Sequence, residues 1–162
     1  MPKSDFKFFH RMRVRWKECD VQGIVYYGSY LDFIDVAQAE YYRNLGILPY
    51  TEEYRKTFDL AAVKVTLEYK GSAKMDDLID VYIAVRRIGR TSIVKQSEIY
   101  RSSTKDLLVT GETISVNFDS SVGQSRPIPT KIRNIIEKFE KTGATPTWGR
   151  TENKPCDQEN EN

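Results

Sequence analysis

The chain has 162 residues, 40% of them apolar and 30% charged, which is the composition of an ordinary soluble protein with a single core. Its net charge is only +2, so we expect no strongly basic surface of the kind that binds nucleic acid. Its two cysteines form no disulfide framework, and neither an apolar span of ~20 residues nor a signal-peptide core is present, so we expect a cytoplasmic protein.

The first predicted element is a strand over residues 6–16. Side chains that alternate along it share one face, which holds Phe8, His10, Met12, Val14 and Trp16. A loop with two glycines follows, and the loop ends where a helical pattern begins.

A long helix is predicted over Ser29–Leu45, because apolar residues recur there three and four positions apart. Ser29 and Asp32 have the spacing of a capping box at its start, and Gly46 suits the left-handed residue that ends a helix. This helix is apolar over so wide an arc that we expect a sheet to wrap around it. A short second helix is predicted within residues 49–56.

Four more strands are predicted from alternating apolar residues, over residues 61–70, 78–88, 92–102 and 107–118. Gly89 and Arg90 mark a tight hairpin turn between the second and third of them. A last helix is predicted over residues 130–142, and the polar segment 144–162 is expected to be disordered. This order predicts a single α+β domain over residues 1–143, with a five-stranded antiparallel sheet around the long helix.

The segment E-C-D-V-Q-G-I-V-Y-Y-G-S places one carboxylate, Asp20, in a glycine-containing loop just before the long helix. A carboxylate there can attack an activated acyl carbon or activate water, while backbone N–H groups at the helix start bind the developing oxyanion. This pattern predicts hydrolysis of an activated acyl group. If only the Asp-x-x-Gly pattern is considered, the alternative to a catalytic role is that Asp20 is a turn or capping carboxylate. As a nucleophile, Cys19 would need a base. The only histidine, His10, is too far away along the same predicted strand, so we expect no Cys–His pair.

The stretch Asp20–Tyr27, D-V-Q-G-I-V-Y-Y, resembles the signature D-x-x-G-(I/V)-V-(aromatic)-(Y/H) of the hot-dog-fold acyl-CoA thioesterases of the 4-hydroxybenzoyl-CoA thioesterase and YbgC-like family. The likeness continues through E-Y-Y-R-N-L-G at Glu40–Gly46, and the order of elements fits over Phe8–Phe118. The resemblance implies a hot-dog fold and hydrolysis of an acyl- or aroyl-CoA to the free acid and coenzyme A. It implies no metal and no cofactor beyond the coenzyme A of the substrate.

The resemblance also implies roles for individual residues. Asp20 corresponds to the acidic catalytic residue, as nucleophile or general base, and the backbone N–H of Tyr27 to the group that polarises the thioester carbonyl. Gly28, next to Tyr27, offers a second backbone N–H for binding the substrate. Arg90 suits phosphate, because a guanidinium binds phosphate oxygens in bidentate fashion. Family members form homodimers or dimer-of-dimers tetramers with a shared active site. The turn that contacts coenzyme A corresponds to four consecutive residues, Gly89, Arg90, Thr91 and Ser92.

Two positions depart from the family's subgroups. Tyr27 stands where YbgC-type enzymes usually carry His, and Gly89 precedes Arg90 where the hydroxybenzoyl type has two consecutive Arg. The identity of the acyl group therefore stays open.

Two alternatives to an acyl-CoA thioesterase remain. One is a thioesterase that acts on acyl-carrier protein, whose acidic helices a basic surface can receive. The other is a non-catalytic acyl-CoA-binding module that keeps the fold. The basic residues in question cluster about the predicted hairpin, where they also serve solubility: Arg86, Arg87, Arg90 and Lys95.

Overall fold

The computed structural model describes residues 5–146, so the predicted tail lies outside the described residues from position 147 onward. A short 3-10 turn at Trp16–Glu18 precedes the long helix. The described residues form six strands and three α-helices: β1 Phe8–Arg13, α1 Ser29–Asn44, α2 Glu52–Arg55, β2 Leu60–Tyr69, β3 Leu78–Ile88, β4 Ser92–Arg101, β5 Leu107–Asp119, β6 Gln124–Ser125 and α3 Thr130–Thr142.

The strands pair antiparallel in the order β1-β3-β4-β5-β2, and the short β6 pairs with the end of β5. β1 joins the sheet as expected, and it does so at one edge, while β2 forms the other edge. The predicted α+β architecture, with an antiparallel sheet around the long helix, is confirmed. Within residues 5–146, no helix is long and apolar enough to cross a membrane.

The core lies between α1 and the inner face of the sheet. α1 buries a broad face that includes Tyr30, Phe33, Ile34, Ala37 and Tyr41. These side chains pack against inward-facing residues of three central strands, among them Ile79, Val81, Ile83, Ile93, Ile99 and Val109. The helix is thus covered by the sheet, as its wide apolar arc predicts.

Two expectations at the start of α1 are wrong. Trp16 is not part of the strand face, because β1 ends at Arg13 and Trp16 begins the 3-10 turn with its side chain 83% exposed. Ser29 does not cap the helix, because it is already the first helical residue, and its hydroxyl donates to the carbonyl oxygen of Glu18 at 3.1 Å. The left-handed stop at Gly46 is confirmed, with φ of 68°.

Candidate active-site loop and neighbouring cavity

Asp20 lies in a tight turn between the 3-10 turn and α1. Its backbone N–H donates to the carbonyl oxygen of Ile24 at 2.9 Å, and its carbonyl oxygen accepts from the N–H of Gly23 at 3.0 Å. Gly23 has φ of 75°, a conformation that residues with a Cβ rarely adopt, so glycine allows this reversal of the chain. The turn holds the backbone of Asp20 in one position before the helix.

The Asp20 side chain is half-buried, and its Oδ1 accepts from the N–H of Gln22 at 2.8 Å. This is the local bond that a turn carboxylate makes. Within the described residues, the other carboxylate oxygen has no hydrogen-bond partner. The geometry therefore fits both the catalytic and the turn role, and it leaves one oxygen available for chemistry.

Two backbone amides just before α1 are available as donors. The N–H groups of Tyr27 and Gly28 have no hydrogen-bond acceptor among residues 5–146. They lie at the N-terminus of a 16-residue helix, where the helix dipole favours a negative charge. A Cβ at Gly28 would lie 2.5 Å from Cε1 of Tyr26, so a larger residue there would displace the exposed Tyr26 ring. The predicted oxyanion donors thus lie free at the helix start.

Neighbouring residues hold this loop in place. Glu18 is 4% exposed, and its carboxylate binds both the backbone N–H and the guanidinium of Arg15. The carbonyl oxygen of Glu18 accepts from the N–H of Tyr26 at 2.8 Å. This charged side chain is buried because Arg15 supplies a partner three residues back. On the other side, the hydroxyl of Tyr69 donates to the carbonyl oxygen of Tyr27 at 3.1 Å.

The predicted coenzyme A turn, residues 89–92, joins β3 to β4. The N–H of Gly89 donates to the carbonyl oxygen of Ser92 at 2.8 Å, and the carbonyl oxygen of Thr91 accepts from the N–H of Asn117 at 2.8 Å. Arg133 of α3 donates to the carbonyl oxygen of Gly89 at 2.6 Å. The Arg90 side chain is exposed, and its guanidinium has no partner in the described part of the chain. Hydrogen bonds thus fix the backbone of this turn at both ends, and its exposed guanidinium has no partner among the described residues.

Within one chain, the loop of Asp20 and the turn of Arg90 lie far apart. The loop of Asp20 pairs through Ile24 with Lys74, just before β3 begins at Leu78. Arg90 follows the other end of β3. This strand has 11 residues, which at ~3.3 Å per residue separate its ends by roughly 30–35 Å. The predicted catalytic and coenzyme A residues of a single chain therefore lie at opposite ends of its sheet.

A cavity of about 590 Å³ lies between α1 and the sheet, on the side of β2. It begins at the first turn of the helix with Leu31 and Asp32 and reaches the start of β2 at Leu60. Asp20 of the same chain does not line it. Polar groups from the helix and the inner sheet face line part of the wall: Asp35, Gln38, Lys95, Thr113 and Ser115.

Lys95 belongs to this cavity, and its predicted position at the surface of the hairpin is wrong. It is only 5% exposed, and its ammonium donates to Oε1 of Gln38. The amide nitrogen of Gln38 in turn donates to Oγ1 of Thr113 at 3.5 Å. Burial lowers the pKa of Lys95 to about 8, against an opposing effect of Asp35. The sequence signal is its spacing from Ile93 along β4, which places both residues on the inner face.

Among residues 5–146, no group of three or more His, Cys, Asp or Glu side chains has a geometry that would hold a metal ion. The loop of Asp20 itself offers one carboxylate oxygen and two backbone amides without partners among the described residues.

Comparisons with known proteins agree on one family. The model of a family described as the thioesterase-like superfamily matches residues 14–136. A protein of Haemophilus influenzae named acyl-CoA thioesterase YbgC is 26% identical over 124 residues, which cover 76% of this chain and 88% of the relative. Acyl-CoA thioester hydrolase YbgC of Escherichia coli O157:H7 is 26% identical over 131 residues, which cover 80% of this chain and 92% of the relative.

Solved structures show the same fold. A 1,4-dihydroxy-2-naphthoyl-CoA thioesterase from Synechocystis superposes with a TM-score of 0.76 at 17% identity, covering 82% of this chain and 97% of that chain. A thioesterase from Thermus thermophilus, solved with coenzyme A and Zn, has a TM-score of 0.72 at 20% identity, covering 85% of this chain and 97% of that chain. At these identities the likeness concerns the fold.

Proposed function

Because this chain belongs to the thioesterase-like superfamily, we propose that it hydrolyses acyl-CoA or aroyl-CoA thioesters to the free acid and coenzyme A. The chain is a thioester hydrolase with the hot-dog fold. The acyl-CoA donor is supported by the names of the relatives and by a structural neighbour that binds coenzyme A. The proposal needs no cofactor beyond the coenzyme A of the substrate, and a cytoplasmic location stays a prediction.

One observation carries the proposed mechanism: a carboxylate and two unpaired amides lie in the same loop at the start of α1. In hydrolysis the thioester carbonyl carbon is attacked while its oxygen gains negative charge. The N–H groups of Tyr27 and Gly28 are suited to bind that oxygen, and one such donor is typically worth ~10²–10³ in rate. The thiolate of coenzyme A then leaves with the electrons of the broken C–S bond.

Two routes are open to Asp20. As a nucleophile, its carboxylate oxygen bonds to the carbonyl carbon and forms a mixed anhydride, which water then hydrolyses to the free acid and the original carboxylate. As a general base, it takes a proton from the water that attacks the carbonyl carbon directly. Both routes need the free carboxylate oxygen that the turn leaves available.

A second copy of the chain is part of the proposal, because β2 is an open edge. Within residues 5–146, no strand pairs with its outer side, and eight of its ten residues are exposed. Val63 and Val65 on this strand are apolar and exposed. A long apolar edge with unpaired backbone groups favours pairing with another strand. We therefore expect a homodimer through β2, alone or as half of a tetramer.

Such pairing would complete the site. A two-fold axis makes two copies of one strand antiparallel, so the Tyr69 end of one β2 lies beside the Leu60 end of the other. Tyr69 contacts the loop of Tyr27, whereas Leu60 borders the cavity. The Leu60 end also lies near the turn of Arg90, because residues 60 and 92 pair with adjacent positions of β5. The loop of one protomer would thus meet the cavity and the basic turn of its partner.

The test is release of free thiol from acyl-CoA esters by the purified chain, compared with Asp20→Asn. We expect the substitution to lower kcat by at least ~10²-fold while the melting temperature is unchanged. Asp106→Asn, at an exposed turn residue, is the matched control and should keep full activity. An unchanged rate for Asp20→Asn would refute the assignment.

The donor is tested with the same acyl chain on coenzyme A and on acyl-carrier protein. A higher kcat/KM with the coenzyme A ester supports the proposal. A higher value with the acyl-carrier protein ester would show that the carrier protein is the acyl donor. Tight binding of acyl-CoA without thiol release would show a non-catalytic binding module.

A further inference from the structure

Lys95 carries a buried charge that the mechanism does not use. An ammonium has three donor hydrogens, and in the described residues only Oε1 of Gln38 accepts one of them. Within the same residues, no carboxylate lies within ion-pair distance of Lys95. A buried ammonium with unsatisfied donor hydrogens is costly, so its place in a cavity wall indicates a hydrogen-bond acceptor that binds there.

The surroundings of Lys95 have the character of a ligand site. Its Nζ lies 5.7 Å from the centroid of the Tyr42 ring, which also lines the cavity. The Tyr42 hydroxyl is buried and has no hydrogen-bond partner among residues 5–146. The remaining wall is largely apolar, with Leu31, Ile34, Leu60 and Val65 among its members. Apolar walls with a few placed polar groups are typical of small-molecule pockets.

The cavity also carries carboxylates, and these restrict the charge of a ligand. Asp32, Asp35 and Asp59 all line it, and the negative charge of Asp35 already acts on Lys95. These carboxylates would repel an anionic ligand group near the ammonium of Lys95. An uncharged ligand oxygen would accept a hydrogen bond from Lys95 without this repulsion.

We infer that the Lys95–Gln38 pair recognises an uncharged oxygen, a hydroxyl or keto group, on the acyl chain of the substrate at a distance from the thioester. The inference rests on the proposed function, since it makes the cavity the acyl site. The first turn of α1 supplies Leu31 and Asp32 to this cavity. The acyl chain would enter over the apolar wall and place its oxygen at the polar wall formed by Lys95, Gln38 and Thr113.

The test measures kcat/KM by thiol release for hexanoyl-, octanoyl- and decanoyl-CoA, each with its ω-hydroxy and ω-carboxy counterpart. Hydrogen bonds to a charged group are strong enough that the wild type should prefer the ω-hydroxy ester by about 10–100-fold for at least one chain length. Lys95→Met, which keeps the length of the side chain and removes the charge, should abolish that preference. Lys138→Met, at an exposed position of α3, is the matched control and should retain it.

Gln38→Leu is the second variant, because it removes the acceptor that orients the ammonium and leaves the lysine in place. It should reduce the preference in the same direction. Equal rates for hydroxylated and plain esters in the wild type, or an unchanged preference in both variants, would overturn the inference while leaving the proposed function intact. A preference for the ω-carboxy ester would overturn the uncharged assignment. Absence of thiol release from every ester would refute the proposed function itself, and the inference with it.

Discussion

The hydroxyl of Tyr41 in α1 donates a hydrogen bond of 2.6 Å to Oε1 of Glu140 in α3, across 99 residues of sequence. The N–H of Val85 in β3 donates to the same oxygen at 2.8 Å. One carboxylate therefore joins the central helix, the sheet and the last helix. Burial raises the pKa of Glu140, against the opposing effect of these two hydrogen bonds.

The first prediction concerns pH. Because the pKa of Glu140 is raised in the folded chain, the stability that this group contributes is fully present below about pH 4.5 and is lost as pH rises through the folded pKa. Glu140→Gln keeps an oxygen acceptor and cannot ionise. The melting temperature of the variant relative to the wild type should therefore rise as pH increases from about 4.5 through the folded pKa of Glu140. Glu137→Gln, on the exposed side of the same helix, should show no such trend, and a trend of opposite sign for Glu140→Gln would contradict the argument.

The second prediction concerns the turn of Asp20. Gly23 and Gly123 both have left-handed φ, of 75° and 70°, and a Cβ would meet no atom within 4 Å at either site. Gly23→Ala and Gly123→Ala should each lower the free energy of unfolding by about 1–2 kcal/mol, measured by urea unfolding. Only Gly23→Ala should also lower kcat, because only that turn holds Asp20. Equal kcat in the two variants would show that the turn geometry does not matter for activity.

The third prediction concerns the edge of the sheet. Val63→Lys places a charge on the open edge of β2 and should convert the proposed dimer to monomers in sedimentation velocity, with a parallel loss of activity. Val122→Lys is the control, because Val122 is similarly exposed, at 65% against 62%, but lies in the turn before β6. A dimer that survives in Val63→Lys would place the interface elsewhere.

The fourth prediction concerns Arg90. Arg90→Gln should raise KM for acyl-CoA by about 10-fold or more and leave kcat nearly unchanged, because the guanidinium is proposed to bind the phosphates and not the reacting atoms. With an acyl-pantetheine ester, which lacks those phosphates, wild type and variant should have the same KM. Arg87→Gln is the control, because it removes another exposed positive charge near the hairpin. A smaller KM increase in this variant would show that Arg90 makes a specific contact. A KM increase of equal size with both esters would argue against a phosphate contact.

Elements with clean periodicity and clear boundary residues are predictable to the residue. β3 covers residues 78–88, and α3 covers residues 130–142, as their patterns indicate. A turn at Gly89 ends the first, and Gly143, with φ of 71°, ends the second. The same reasoning fails for Trp16 because alternation continues in the sequence after the chain has left the sheet.

The partners of the buried charged residues were not predictable from the pattern. Glu18 and Lys95 are buried because Arg15 and Gln38 supply partners, and the contact with Gln38 spans 57 residues of sequence. The distance between Asp20 and Arg90 was equally hidden, since it depends on the pairing of Ile24 with Lys74, which places the loop of Asp20 at the start of β3. Sequence motifs pointed to both residues as candidates but not to their places in space.

The separation of Asp20 from Arg90 within one chain, together with the proposed dimer, predicts that two impaired variants complement each other when mixed. If each site takes its carboxylate from one protomer and its basic turn from the other, a mixed dimer of Asp20→Asn and Arg90→Gln holds one doubly damaged site and one wild-type site. Random exchange of subunits in an equal mixture would then restore about a quarter of the sites. The mixture should therefore show a higher turnover at low substrate concentration than either variant alone.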